Sequence, residues 1–182
     1  MEIMISINPP YAEMIMDGYK SCEFRKVILK SIIGTSLTEP TIAYIYETKN
    51  KGGRGAIIGE VDILGSYALG YSKDITTTDK LEELRLSFLK MMYSKWYAFF
   101  KELNIKDEWF NREKFTDYLH NIGFINKDGN IDCNYAIILD KPRRYDRVKP
   151  LSDFLSVKGE ILSRPPQNMF YVNKKIKEAK ES

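Results

Sequence analysis

The 182-residue chain holds one histidine, two cysteines and no apolar run longer than a few residues. Each shortage removes a class of function. His120 by itself cannot build a two-histidine ribonuclease site, and it reads as a helix-end residue. Cys22 and Cys133 stand far apart, with no CxxC spacing and no third partner, so neither a zinc knuckle nor a redox pair is expected. A membrane-spanning helix needs ~20 consecutive apolar residues, and no stretch approaches that. Met1-Glu2-Ile3-Met4 lacks the basic and apolar regions of a secretory signal, so the expected location is cytoplasmic, with no membrane partner. There is no glycine-rich phosphate loop and no alternating βαβ pattern, which argues against Rossmann and P-loop nucleotide sites. The carboxylates show no metal-ligand spacing, so no metal and no cofactor are expected.

What remains is a composition suited to one globular domain: 43% hydrophobic, 29% charged and 13% aromatic. Charge is distributed unevenly. Residues 1–60 carry 7 basic and 7 acidic side chains, 61–140 carry 10 and 13, and 141–182 carry 11 and 5. The excess of +6 therefore lies at the C-terminal end. Within it, Lys141-Pro-Arg-Arg-Tyr-Asp-Arg-Val-Lys-Pro150 sets five cations against one acid and includes an aromatic, a composition that suits phosphate contacts. The same segment also reads as a solvated loop.

Glu2 to Ile7 is expected to be a strand, with Asn8 capping a short helix that has Pro9 at its first position and ends at Gly18. Lys20 to Val27 is a second strand. Because strand side chains alternate, Glu23 and Arg25 point the same way. Thr41–Thr48 and Gly55–Leu64 form an antiparallel hairpin, and Gly59 marks a bulge or a close backbone approach that re-aims Glu60. From Asp79 the apolar residues advance by three or four through Leu103, followed by a weaker helix from about 107 to 120. Tyr135–Asp140 is a central strand from which the basic loop departs, Leu151–Phe154 makes one short turn, and Met169–Val172 is the last strand. This order predicts one α+β domain over 1–172, mostly an antiparallel barrel with a helical insertion at about 79–120, followed by a charged tail over 173–182.

Gly18-Tyr-Lys20-Ser-Cys-Glu23-Phe-Arg25 satisfies G-x-K-x-x-E-x-R at all four specified positions, directly after a strand and a short helix. This resembles the ASCH family of the PUA-like superfamily. Supporting segments fall in the expected order: Ile5–Glu13, Ile45–Thr48, Gly59–Val61 and Pro165–Tyr171. The resemblance covers roughly 1–65 and 133–172 and implies a small β-barrel associated with RNA.

Physically, a lysine at a turn followed by a same-face acid and arginine offers fixed cations and one acceptor, enough to hold a phosphate and read a base edge. Tyr44, Tyr46, Tyr145 or Tyr171 would add a stacking platform, and Lys141, Arg143 and Arg144 would contact phosphates. Equally, Glu23 and Arg25 form an ion pair that orders the barrel mouth. One ASCH-like branch hydrolyses N4-acetylcytidine with a Lys, Thr and Glu set. Lys20 matches its lysine, but Glu23 stands where the threonine belongs, so an enzyme reading makes Lys20 and Glu23 an acid/base pair with Glu60 as the second acid. The expectation is thus a binder of RNA or a modified nucleotide, with a small amidohydrolase or a metal-independent ribonuclease as the alternative in the same cleft. A third reading makes the 79–120 helices a protein-docking face.

Overall fold

The computed structural model describes residues 2–33, 40–68, 117, 120, 126, 127 and 134–174. Apart from the single residues 117 and 120, the expected helices at about 79–120 lie outside the described residues, as does the tail beyond 174. The chain runs β1 (Glu2–Ile7), α1 (Tyr11–Met16), β2 (Cys22–Arg25), α2 (Lys30–Ile33), β3 (Thr41–Glu47), β4 (Ala56–Ala68), β5 (Tyr135–Lys149), β6 (Phe154–Ser156) and β7 (Met169–Lys174). No described helix is long and apolar enough to cross a membrane.

Seven strands form one sheet in the order β2-β5-β4-β3-β1-β7-β6. All ladders are antiparallel except β1–β3, which is parallel and sets Ser6 beside Tyr46. β1 is buried on both faces along nearly its whole length, as its unbroken Ile-Met-Ile run befits. Its Ile3, Ile5 and Ile7 face one cluster with Ala12, Ile15 and Met16 of α1. Its Met4 faces the other, with Tyr44, Tyr46 and Phe154. Burying each large apolar side chain contributes about 1.5–3 kcal/mol, so β1 is the axis of the core.

The barrel expected from the sequence does not close. The two edges of the sheet are β2 and β6, and no ladder joins them. Isolated hydrogen bonds bridge the gap instead: Arg25 Nη2 donates to the Ser6 carbonyl at 2.7 Å, and Asn168 Nδ2 to the Val27 carbonyl at 3.0 Å. The architecture is therefore a curled, open, mostly antiparallel sheet.

Three local expectations are also revised. Asn8 does not cap α1 with its side chain; the helix starts at Tyr11 after Pro10, and Asn8 Oδ1 accepts instead from Thr48 Oγ1 at 2.5 Å and Asn50 Nδ2 at 3.2 Å. The basic segment is no loop but the second half of the 15-residue β5. It survives as strand because Lys141, at φ 47°, and Pro142 form a bulge in which two residues of β5 oppose the single Val61 of β4, so no ladder bond is demanded of the proline. The last strand runs to Lys174, two residues beyond its expected end at Val172.

The Thr41–Glu47 and Ala56–Ala68 pair is the hairpin the sequence indicates, and Gly59 sits at a register shift against β5. A Cβ there would lie 2.6 Å from the Arg143 carbonyl oxygen and 3.1 Å from Arg144 Cα, and would also strike Met16 Sδ. Backbone cannot move aside cheaply, so Gly59→Ala is expected to cost about 1–3 kcal/mol. Urea unfolding measures this; an unchanged midpoint would mean that β5 does not approach so closely.

Candidate functional site

The turn after α1 places the motif. Gly18, at φ 78°, takes the left-handed conformation that ends the helix, and the Lys20 amide then donates to the Met14 carbonyl at 2.9 Å. This folds Lys20 inward. The sequence suggests an exposed lysine at a turn, yet Lys20 is only 4% exposed. Its ammonium is satisfied by the Cys22 carbonyl and by Glu23 Oε2 at 2.5 Å, and lies 5.6 Å from the Phe24 ring centre.

Glu23 is equally enclosed. Its second oxygen, Oε1, meets Arg25 Nη2 at 2.9 Å, confirming that Glu23 and Arg25 share a face. Burial alone would push the Glu23 carboxyl up, but the charges of Lys20 and Arg25 and the Lys20 hydrogen bond outweigh it and hold the group below the ordinary carboxylate range. Two cations around one carboxylate leave a single net positive charge, which emerges at Arg25.

Arg25 lines a cleft of about 600 Å³ together with Ser6, Asn8, Tyr46, Thr48, Lys49, Asn50, Gly55, Leu151, Ser163 and the Pro165-Pro166-Gln167 segment. Ser6 Oγ donates to the Pro166 carbonyl at 2.7 Å, tying that segment to the end of β1. Lys20 and Glu23 do not line the cleft; they stand behind Arg25. Tyr46 belongs to the wall, and burial raises the pKa of its phenol, so it is neutral near pH 7.

The other sequence-derived candidates gather elsewhere. Glu60 accepts from Arg143 Nε at 3.0 Å and from the Tyr145 hydroxyl at 2.5 Å. Arg143 also binds Asp62 at 2.8 Å, Lys141 lies 3.7 Å from the same carboxylate, and Arg144 binds Glu13 at 2.7 Å and Asp17 at 2.8 Å. Burial first, and the Glu60 hydrogen bond second, raise the pKa of Tyr145, while the Lys149 ammonium sits 3.8 Å above its ring. Tyr44 is 1% exposed and packs edge-on against Phe154, which removes it as a stacking platform. Tyr171 packs against the core. The structure thus joins Lys20, Glu23 and Arg25, with Tyr46 in the wall of the same cleft, and makes a second group of Glu60, Lys141, Arg143 and Tyr145. Arg144 belongs to a third, with α1. Among the described residues no three His, Cys, Asp or Glu side chains gather as a metal site would require.

Asn8, Lys49, Asn50 and Gln167 escape the sequence reading as site residues. They lie in or beside segments whose order accompanies the motif, but turn polarity alone does not distinguish a cleft wall from a solvated loop.

No family model matches this chain, and no curated protein does. Among solved structures the chain is similar to the ASCH protein of Zymomonas mobilis, at TM-score 0.49 and 16% identity over 95% of this chain and 88% of that one. A serine-to-alanine mutant of the same protein gives TM-score 0.47 and 16% identity over 96% and 89%, and a tyrosine-to-phenylalanine mutant 0.47 and 14% over 96% and 91%.

Lys20→Met keeps the stem and deletes the ammonium, leaving Glu23 with one cation fewer in a buried site. The expected loss is about 3–5 kcal/mol at neutral pH, read by urea unfolding. In the native protein the depressed Glu23 pKa contributes stability that is present above the ordinary carboxylate range and is lost as pH falls through the folded-state value. Stability should fall less steeply on acidification in the variant than in the native protein. Superimposable pH profiles would show that Lys20 does not hold the carboxylate.

Proposed function

We propose that the chain is an ASCH-domain protein of PUA-like architecture that binds RNA or a modified nucleotide in the cleft beside Arg25. The observation that carries this reading is an immobilised guanidinium on a concave wall: Arg25 is fixed from two sides, by Glu23 and by the Ser6 carbonyl, and lines the cleft. A guanidinium whose position is already set loses little entropy on engaging a phosphate or a base edge, while Tyr46, at 4% exposure, shapes the wall and offers no open face for stacking. The matched G-x-K-x-x-E-x-R motif supplies this arrangement.

The amidohydrolase alternative asks Lys20, Glu23 and Glu60 to converge on a substrate. Lys20 and Glu23 are within hydrogen-bond distance of each other, but Lys20 is committed to Glu23 and the Cys22 carbonyl and Glu23 to Lys20 and Arg25, while Glu60 is engaged by Arg143 and Tyr145. Binding is therefore the better-supported reading, with Lys20 and Glu23 as positioning residues.

The strand cations are less suited to phosphate than their number suggests. Arg143 and Arg144 each hold two carboxylates, so a phosphate there would have to displace an existing partner.

Titration of a short 5′-phosphorylated single-stranded RNA by fluorescence anisotropy tests the proposal. Arg25→Gln should weaken binding about tenfold or more. Arg143→Gln with Arg144→Gln should change affinity by less than about threefold, since cations already neutralised release few counterions. Thermal melts confirm that each variant is folded. A flattened salt dependence in the double variant alone would move the interface to β5, and release of acetate from N4-acetylcytidine would replace a binding function with hydrolysis.

A further inference from the structure

The charge of the cleft is one-sided. Its lining residues include two cations, Arg25 and Lys49, and no carboxylate. Glu23, the partner of Arg25, lies outside that lining and is shared with Lys20, whereas on the surface around the cleft Arg54 is paired with Glu13 and Glu47, Arg144 with Glu13 and Asp17, and Arg143 with Glu60 and Asp62.

Each cleft donor is also held in place. The stem of Lys49 lies on Gly55: a Cβ on that glycine would fall 2.5 Å from Lys49 Cγ and 2.6 Å from Cε, and at φ 65° the position favours glycine in any case. Asn8 Oδ1 already accepts from Thr48 and Asn50, so the amide is oriented and its Nδ2 hydrogens are what it can offer a ligand. Arg25 is anchored through Nη2, which meets Glu23 Oε1 at 2.9 Å and the Ser6 carbonyl at 2.7 Å.

Size narrows the ligand further. A volume of about 600 Å³ is that of a pocket for one small molecule, lined by the 163–167 segment and the 48–55 turn and open to solvent on one side.

We propose, building on the cleft reading above, that the site is selective for a terminal phosphate monoester on a nucleotide, with Arg25, Lys49 and Asn8 holding the phosphate and the exposed Pro165 beside the nucleoside. A monoester carries close to two negative charges at neutral pH and matches the two cations, whereas an internal phosphodiester carries one. The monoester is either a free nucleoside 5′-monophosphate or the 5′ end of an RNA strand; both present the same group.

Four probes separate these sources: CMP, cytidine, and one short single-stranded RNA with and without its 5′-phosphate, each titrated by calorimetry into the native chain and into Lys49→Ala. Lys49 is exposed and outside the motif, so this variant keeps the fold. CMP should bind at least about tenfold tighter than cytidine, the phosphorylated RNA at least about tenfold tighter than its 5′-hydroxyl form, and Lys49→Ala should erase both preferences. Preference within the RNA pair alone assigns the cleft to strand ends, and preference within the CMP pair alone assigns it to free nucleotides; either supports the inference. Equal binding of both RNAs, lost in Arg25→Gln, would overturn phosphate-end selection while leaving the cleft as an RNA site. Inorganic phosphate competing as well as CMP would overturn the nucleotide assignment, and binding of none of the probes would remove both readings.

Discussion

One carboxylate organises this end of the molecule. Glu23 is buried between Lys20 and Arg25, and each of its oxygens is committed to a different cation. A lone buried carboxylate would be expelled or protonated; two cations and the Cys22 carbonyl, which shares Lys20, make the arrangement tolerable. The consequence reaches across the sheet. Arg25, once held by Glu23, spans from β2 to the Ser6 carbonyl of β1, two strands that no ladder connects. An interaction that looks local in sequence therefore helps to shut the mouth of an unclosed sheet, and the same guanidinium becomes part of the wall of a cleft.

That dual role explains why separating a structural from a functional reading of the motif is artificial here. The ion pair orders the sheet edge, and by ordering it fixes the Arg25 guanidinium in the cleft wall. Reactivity and position are divided among the three residues: the two enclosed members set the place, and the third meets the cleft. The cations of β5 illustrate the opposite arrangement. Lys141, Arg143 and Arg144 form a dense basic run, but Glu60, Asp62, Glu13 and Asp17 approach them from β4 and α1 and compensate their charge. A run of like charges in sequence is not a basic surface when its neighbours in the sheet are acids, and a single lysine such as Lys49 can contribute more field to a cavity that excludes carboxylates.

Much of the framework was legible because it is encoded by short-range patterns. The β3–β4 hairpin follows from β-branched and aromatic residues flanking a Lys-Asn-Lys-Gly-Gly turn, the shared face of Glu23 and Arg25 from the period of two, and the irregularity at Gly59 from a glycine inside a strand. The misreadings have a common origin. Pro142 and a run of charges made the second half of β5 look like a loop, because a bulge that frees the proline from the ladder depends on β4 lying alongside. Asn8 looked like a helix cap because its local context fits one, whereas its partners, Thr48 and Asn50, are some forty residues away.

By itself, then, the sequence determined the strands near both ends, the turn that follows α1 and the identity of the charged triad, since spacing, turn chemistry and alternation act over a few residues. Tertiary structure alone decided that the sheet stays open, that Lys20 is buried, that Glu60 is engaged by Arg143 and Tyr145 and that Lys49 joins Arg25 in one cleft. Those outcomes depend on which strands are adjacent and on which charges meet through low-dielectric surroundings. Both are properties of separations in space that the order of residues along the chain does not specify.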